Sequence, residues 1–91
     1  MSNTIIEKWE ELKVLVETLE LDVHKNAHGN KSAGTRARKG LRLLKTAASD
    51  LVKVSLARGN KSAGTRARKG LRLLKNAAAD LVKTSLEEGK D

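Results

Sequence analysis

The 91-residue chain carries 19 Lys or Arg against 11 Asp or Glu, a net charge of +8, with 38% hydrophobic residues, one aromatic, no Cys and no Pro. A chain this short makes one small domain whose thin Leu/Ala core gains from oligomerisation, and the missing Cys exclude disulfide scaffolds, thiol catalysis and Cys-based zinc sites. No apolar run approaches the roughly 18 to 20 residues of a membrane span, and the acidic opening MSNTIIEKWEEL is unlike a basic signal or transit peptide, so a soluble, untargeted, cytoplasmic protein is expected.

The first segment, residues 1–29, is acidic, with three Lys against six Asp or Glu. Ile5, Trp9, Leu12, Val16, Leu19 and Val23 step by four and three, the spacing of a helix that packs along one seam. Thr4 and Glu7 form a capping-box pattern at its start, and Gly29 closes it after His24, Lys25 and His28, which suit a helix C-terminus. The spacing predicts a helix over residues 4–28. Val14 and Leu21 fall on its opposite side and offer a second apolar contact for self-association.

Residues 30–59 recur almost unchanged as residues 60–89, differing only at Thr46/Asn76, Ser49/Ala79, Val54/Thr84, Ala57/Glu87 and Arg58/Glu88. Both copies are basic: residues 30–59 hold eight Lys or Arg against one Asp, and residues 60–91 hold eight against four. In the first copy Ala37, Leu41, Leu44, Ala48, Leu51 and Ser55 keep helical spacing; Ala67, Leu71, Leu74, Ala78, Leu81 and Ser85 repeat it in the second. Leu43, Ala47 and Val54, with Leu73, Ala77 and Thr84, widen these stripes. Asn30 and Asn60 are suited to N-caps, and Gly59-Asn60 to a turn between the copies. Gly40 and Gly70 each cost about 1 kcal/mol of helix propensity relative to Ala and suggest close approach of a partner backbone. Three amphipathic helices of about 25 residues follow, an all-α chain in which an antiparallel hairpin of the two copies is favoured and an oligomeric bundle is expected. In that hairpin equivalent cations are offset by about 10 to 15 Å; in one continuous helix they would stand roughly 45 Å apart.

The cations are ordered. At about 100° per residue, Lys31, Arg38, Arg42 and Lys45 share an arc of roughly 60° with Lys39 beside it, while Arg36 lies at the first turn on another side. Lys61, Arg68, Arg72, Lys75, Lys69 and Arg66 repeat the pattern. A helix N-terminus carries partial positive charge and favours Asp or Glu, yet both basic helices crowd cations there. An external anion would reconcile this, with free N–H groups and hydroxyls near Ser32 to Thr35 and the Arg forks converging on phosphate oxygens. An isolated Lys/Arg cluster is more often a solvated face. Duplication and N-terminal placement weigh against that here.

Other chemistries find little support. GNKSAGT lacks the spacing of a phosphate-binding loop and follows no strand, which argues against nucleotide hydrolysis. His24 and His28 are four apart, but no third ligand completes a metal site. Trp9 lies in the acidic segment and the basic helices contain no aromatic, so backbone-directed binding of duplex is favoured over base stacking on single strands. No nucleophile–base pair or carboxylate dyad is present, and neither an enzyme nor a cofactor is expected.

GNKSAGTRARKGLRLLK, after an acidic amphipathic helix and before an Ala/Leu/Lys helix, resembles the bacterial chlamydial histone-like nucleoprotein family, small helical proteins that bind and condense DNA. The resemblance covers residues 1–59 as one unit and residues 60–91 as a repeated second helix, and it implies DNA contacts at Lys31, Arg36, Arg38 and Lys39, and at Lys61, Arg66, Arg68 and Lys69. The chain differs in having two copies of that helix and no long Lys/Ala-rich tail.

The expected function is non-specific binding of duplex DNA through its phosphates in the nucleoid, by a homodimer that engages neither membrane nor small-molecule substrate. The basic rows Lys31, Arg36, Arg38, Lys39, Arg42 and Lys45, and Lys61, Arg66, Arg68, Lys69, Arg72 and Lys75, are the candidate contacts. The alternative is a structural helical oligomer without nucleic acid, in which basic helices pair with a neighbour's acidic helix.

Overall fold

The computed structural model describes residues 4–57 and 61–88 and is helical throughout: α1 (Thr4–Ala27), α2 (Lys31–Leu56) and α3 (Lys61–Glu88). Gly29 ends α1 at φ 96°, a left-handed conformation that glycine adopts without Cβ strain. Around it the Gly29 N–H donates to the Asn26 carbonyl and the Asn30 N–H to the Lys25 carbonyl, at 2.9 and 3.0 Å, which satisfies the last turn of α1. The Asn30 side chain meanwhile accepts from the Ala33 N–H at 2.9 Å and opens α2. One residue therefore closes one helix and caps the next, which makes the reversal tight. The turn expected at Gly59-Asn60, and the Asn60 cap, lie outside the described residues.

α2 is the central element. α1 packs along one of its flanks and α3 along the other, in a flat layer measuring 49 × 23 × 14 Å. The predicted stripe of the first copy is buried along its length, from Ala37 to Ser55. From α1, Leu12 and Leu19 are buried against it. A Cβ on Gly40 would strike the Leu19 side chain, so the close approach expected there is made by a side chain and not by backbone.

The identical stripe on α3 behaves differently because no third helix flanks it. Leu71, Ala78 and Ser85 are buried against α2, but Ala67 is exposed and Leu81 is 40% exposed where Leu51 is 4%. Nothing lies within 4 Å of a Cβ built on Gly70, so the close approach expected there is absent among the described residues. Leu43 and Leu73 are also exposed and do not extend the core as their spacing suggests.

α2 and α3 run antiparallel and meet through equivalent residues. Arg38 donates from Nη1 to Ser85 Oγ at 2.8 Å, and its counterpart Arg68 donates from Nη1 to Ser55 Oγ at 3.1 Å. Each guanidinium folds back over the glycine four residues before it, Gly34 or Gly64, where a larger side chain would meet it. The bonds are reciprocal, so a pseudo-two-fold axis relates the two helices and passes near Thr46–Ala47 and Asn76–Ala77. At one end only, a third helix joins: Ser85 Oγ donates to Asn26 Oδ1 at 2.5 Å, linking α1, α2 and α3 through one hydroxyl.

Two stability predictions follow from this asymmetry. Ser85→Ala removes a link among three helices and Ser55→Ala a link between two, so in denaturant unfolding Ser85→Ala should cost more, each loss being on the order of 1 kcal/mol. Equal losses would mean that the Asn26 bond contributes nothing. Gly70→Ala should gain up to about 1 kcal/mol from helix propensity in open space, whereas Gly40→Ala should return clearly less because Leu19 has to move; the difference between two otherwise identical substitutions measures the α1 contact.

Candidate nucleic-acid interface

The two broad surfaces of the layer differ in character. Between α1 and α3, with α2 as floor, two apolar hollows meet at Leu74. Val16, Leu19 and Val23 of α1, Leu41 and Leu44 of α2, and Leu74, Ala78 and Leu81 of α3 line one; Ile5, Ile6, Trp9, Leu51, Ala67, Gly70 and Leu71 line the other. The seam predicted for α1 is thus divided, with Leu12 and Leu19 buried on α2 while Trp9 and Val16 form an exposed wall of the groove.

Lys39, Arg42, Thr46 and Lys53 lie on the other side of α2, opposite Leu44, Leu51 and Ser55 at 100° per residue, and all four are exposed. Lys69, Arg72, Asn76 and Lys83 occupy the same places on α3 and are also exposed. A two-fold that exchanges side-by-side antiparallel helices stands perpendicular to their layer, so both sets of cations face the same way. Register separates the pairs unequally along the layer, by about 4 Å for Lys45 and Lys75, about 13 Å for Arg42 and Arg72, about 22 Å for Lys39 and Lys69 and about 46 Å for Lys31 and Lys61. The uniform offset of 10 to 15 Å expected from the sequence holds only for the Arg42 pair, because distance from the pseudo-axis counts twice in an antiparallel pairing.

The twelve candidate cations fall into distinct environments. Lys31, Lys39 and Arg42, with Lys61, Arg66, Lys69 and Arg72, are exposed; Lys45 and Lys75 are half-buried beside the α2–α3 seam. Arg36 is exposed but held by Asp22 of α1, with Nε donating to the two carboxylate oxygens at 3.2 and 3.3 Å and Nη2 to Oδ1 at 3.1 Å. Its counterpart Arg66 has no carboxylate partner among the described residues, since no acidic helix flanks α3. Arg38 and Arg68 are half-buried and bonded to the serines that join the helices.

The first turns also differ from the expected cradle. The Thr35 and Thr65 hydroxyls donate to the Lys31 and Lys61 carbonyls, at 3.3 and 2.8 Å, within their own helices. The Arg38 and Arg68 forks turn toward the neighbouring helix and not toward a common external point. Ser55 and Ser85 were legible as members of the apolar stripes but not as bonding partners of these arginines. The available signal was a polar residue at the last position of both stripes, each 17 residues after an Arg on the adjoining arc.

His24 and His28 are tied locally, His28 Nδ1 lying 2.9 Å from the His24 carbonyl oxygen, and no group of three or more metal-ligating side chains occurs among the described residues. No described helix is long and apolar enough to cross a membrane.

Comparison with known proteins supplies the context for this basic surface. The family model described as histone H1-like protein Hc1 matches the chain twice, over residues 6–58 and 43–91. The first match takes in α1 and α2 and the second takes in the C-terminal part of α2 with α3, so each includes one copy of GNKSAGTRARKG. No curated protein and no solved structure matches the chain. Two matches that together span nearly all of an all-helical, basic, tandemly repeated chain place it among DNA-binding histone-like proteins: it belongs to the histone H1-like protein Hc1 family.

Proposed function

We propose that the protein binds duplex DNA without base specificity, through phosphate contacts made by the basic face of α2 and α3, and that it acts in the nucleoid. The observation that carries this reading is the antiparallel pairing of the copies. Each copy is basic in its N-terminal half, and antiparallel packing sets the two basic halves end to end, so that cations run along the whole layer on the side away from the apolar groove. Fixed cations unpaired by carboxylates, with no aromatic among them, suit a regular array of phosphates and not base edges.

Lys31, Lys39, Arg42, Lys61, Arg66, Lys69 and Arg72 are the free contacts of this proposal, supported by Lys45 and Lys75 at the seam. Arg36 contributes what its bond to Asp22 leaves available, and Arg38 and Arg68, with Nη1 on serine and Nη2 on Thr35 or Thr65, serve mainly to hold the two helices in register. Neutralising Z phosphates gives a slope of log affinity on log salt near −0.9Z, so seven free contacts correspond to a slope of about −6. Gel shifts across 50 to 300 mM salt should show strong retention of duplex at the low end and its collapse by about 200 mM, with no dependence on sequence. Salt-insensitive retention, or none on duplex at low salt, would remove the reading in favour of a purely structural helical assembly.

Two copies associate through the apolar groove. A two-fold axis parallel to the helices lays the acidic α1 of each copy over the basic α3 of the other, while an axis across them would lay α1 on α1 and α3 on α3. Charge favours the first. Val14 and Leu21, 58% and 62% exposed on the far side of α1, offer a further contact between such dimers. Sedimentation at micromolar concentration should show a dimer that Val16→Glu with Leu81→Glu shifts to monomer, whereas Val14→Glu with Leu21→Glu leaves it intact. A folded wild-type monomer at that concentration defeats this part of the proposal.

A further inference from the structure

The pseudo-symmetry of α2 and α3 constrains how DNA is held, and resting on the duplex-DNA reading it leads to a specific geometry. The two strands of a duplex are antiparallel and related by dyads perpendicular to the duplex axis, and proteins with two-fold symmetry align with those dyads. Here the pseudo-two-fold is internal to one chain and perpendicular to its basic face. On the face opposite the groove the exposed cations of α2 have equivalents on α3 facing the same way: Lys39 with Lys69, Arg42 with Arg72, Lys31 with Lys61 and Lys53 with Lys83.

We propose that one chain seats on one duplex with its pseudo-two-fold along a DNA dyad, the α2 cations facing phosphates of one strand and the α3 cations those of the other. The outermost pair, Lys31 and Lys61, stands about 46 Å apart along the layer, which at 3.4 Å per base pair limits the site to about 14 base pairs. The two rows converge at the centre, where Lys45 and Lys75 are separated by about 4 Å along the layer. Rows that converge on one face only 23 Å wide do not present two separate platforms, and two duplexes seated there would crowd their phosphate backbones together. The repeat thus doubles the grip on one duplex and does not link two.

The partly buried Arg–Ser bonds fix this arrangement. They set the register of α2 against α3, so the backbone spacing of Arg42 from Arg72 is defined before DNA arrives and only the side chains are ordered on binding. Near-identity of the copies then has a physical consequence: equivalent phosphates meet equivalent side chains, and each half supplies the same share of the salt dependence.

The test uses the full chain and a 14-base-pair duplex, with stoichiometry read by titration well above Kd and salt slope read by anisotropy. One dimer is expected to take two duplexes, one per chain, with the same slope per chain on 14 base pairs as on long DNA. Lys39→Gln with Arg42→Gln should reduce the magnitude of the slope by about 2, Lys69→Gln with Arg72→Gln by the same amount, and all four together by about 4. These side chains are exposed, and circular dichroism checks that the helices persist. Two duplexes per chain, or a slope carried wholly by one copy, would overturn the dyad geometry while leaving DNA binding in place. Absence of any salt-dependent retention by the wild type would instead remove the DNA reading itself and the geometry with it.

Discussion

Two nearly identical helices that pack antiparallel meet through the same surface twice, and the remaining features of this layer depend on that constraint. Whatever Arg38 does to α3, Arg68 does to α2, and the pairs with Ser85 and Ser55 express this directly. Such a contact has no preferred end, so it cannot by itself decide which copy lies in the middle. Chain connectivity decides. α1 is joined to the first copy through the short reversal at Gly29 and Asn30, which holds it beside α2.

Position therefore divides two copies of one sequence. Ala33, Ala37, Gly40 and Leu51 are buried under α1, while Ala63, Ala67, Gly70 and Leu81 lie in the open. One of the five differences between the copies follows the same division: half-buried Val54 on the α1 side of α2 corresponds to exposed Thr84, whose hydroxyl bonds the Asp80 carbonyl of its own helix. An apolar side chain has been lost where no neighbour covers it. Glu87 in place of Ala57 adds an anion to the end of α3, level with the basic first turns of α2, where it offsets some of the repulsion among Lys31, Arg36 and Lys39. Nothing in the structure explains Thr46/Asn76 or Ser49/Ala79.

Much of the fold was legible in the sequence because it is local. The 3.6-residue spacing marks the three helices, and the glycine after α1 with Asn30 as a cap sets the end of α1 and the start of α2 within a residue or two. The division of a single apolar seam was not legible. Trp9 and Leu12 look alike on a helical wheel, and only the direction from which α2 approaches decides that Leu12 is buried and Trp9 walls a groove. The cations raised the same difficulty. Periodicity placed Arg38 and Arg42 in one arc, but Arg38 has a serine of the neighbouring helix within reach and Arg42 does not, a distinction that depends on register across the seam.

The crowding of cations at two helix N-termini, unfavourable for each helix alone, becomes tolerable in this packing. Antiparallel neighbours bring the C-terminal ends of α1 and α3, with their partial negative charge, beside the N-terminus of α2. Asp22 reaches Arg36 from α1 across that junction; being largely solvent-exposed on the arginine side, the pair is worth under about 1 kcal/mol and its value lies more in position than in stability. At the N-terminus of α3 only α2 supplies such an end, and Arg66 keeps its full charge for an outside partner. The two copies thus differ locally: Asp22 offsets part of the charge of Arg36, while Arg66 has no such partner among the described residues.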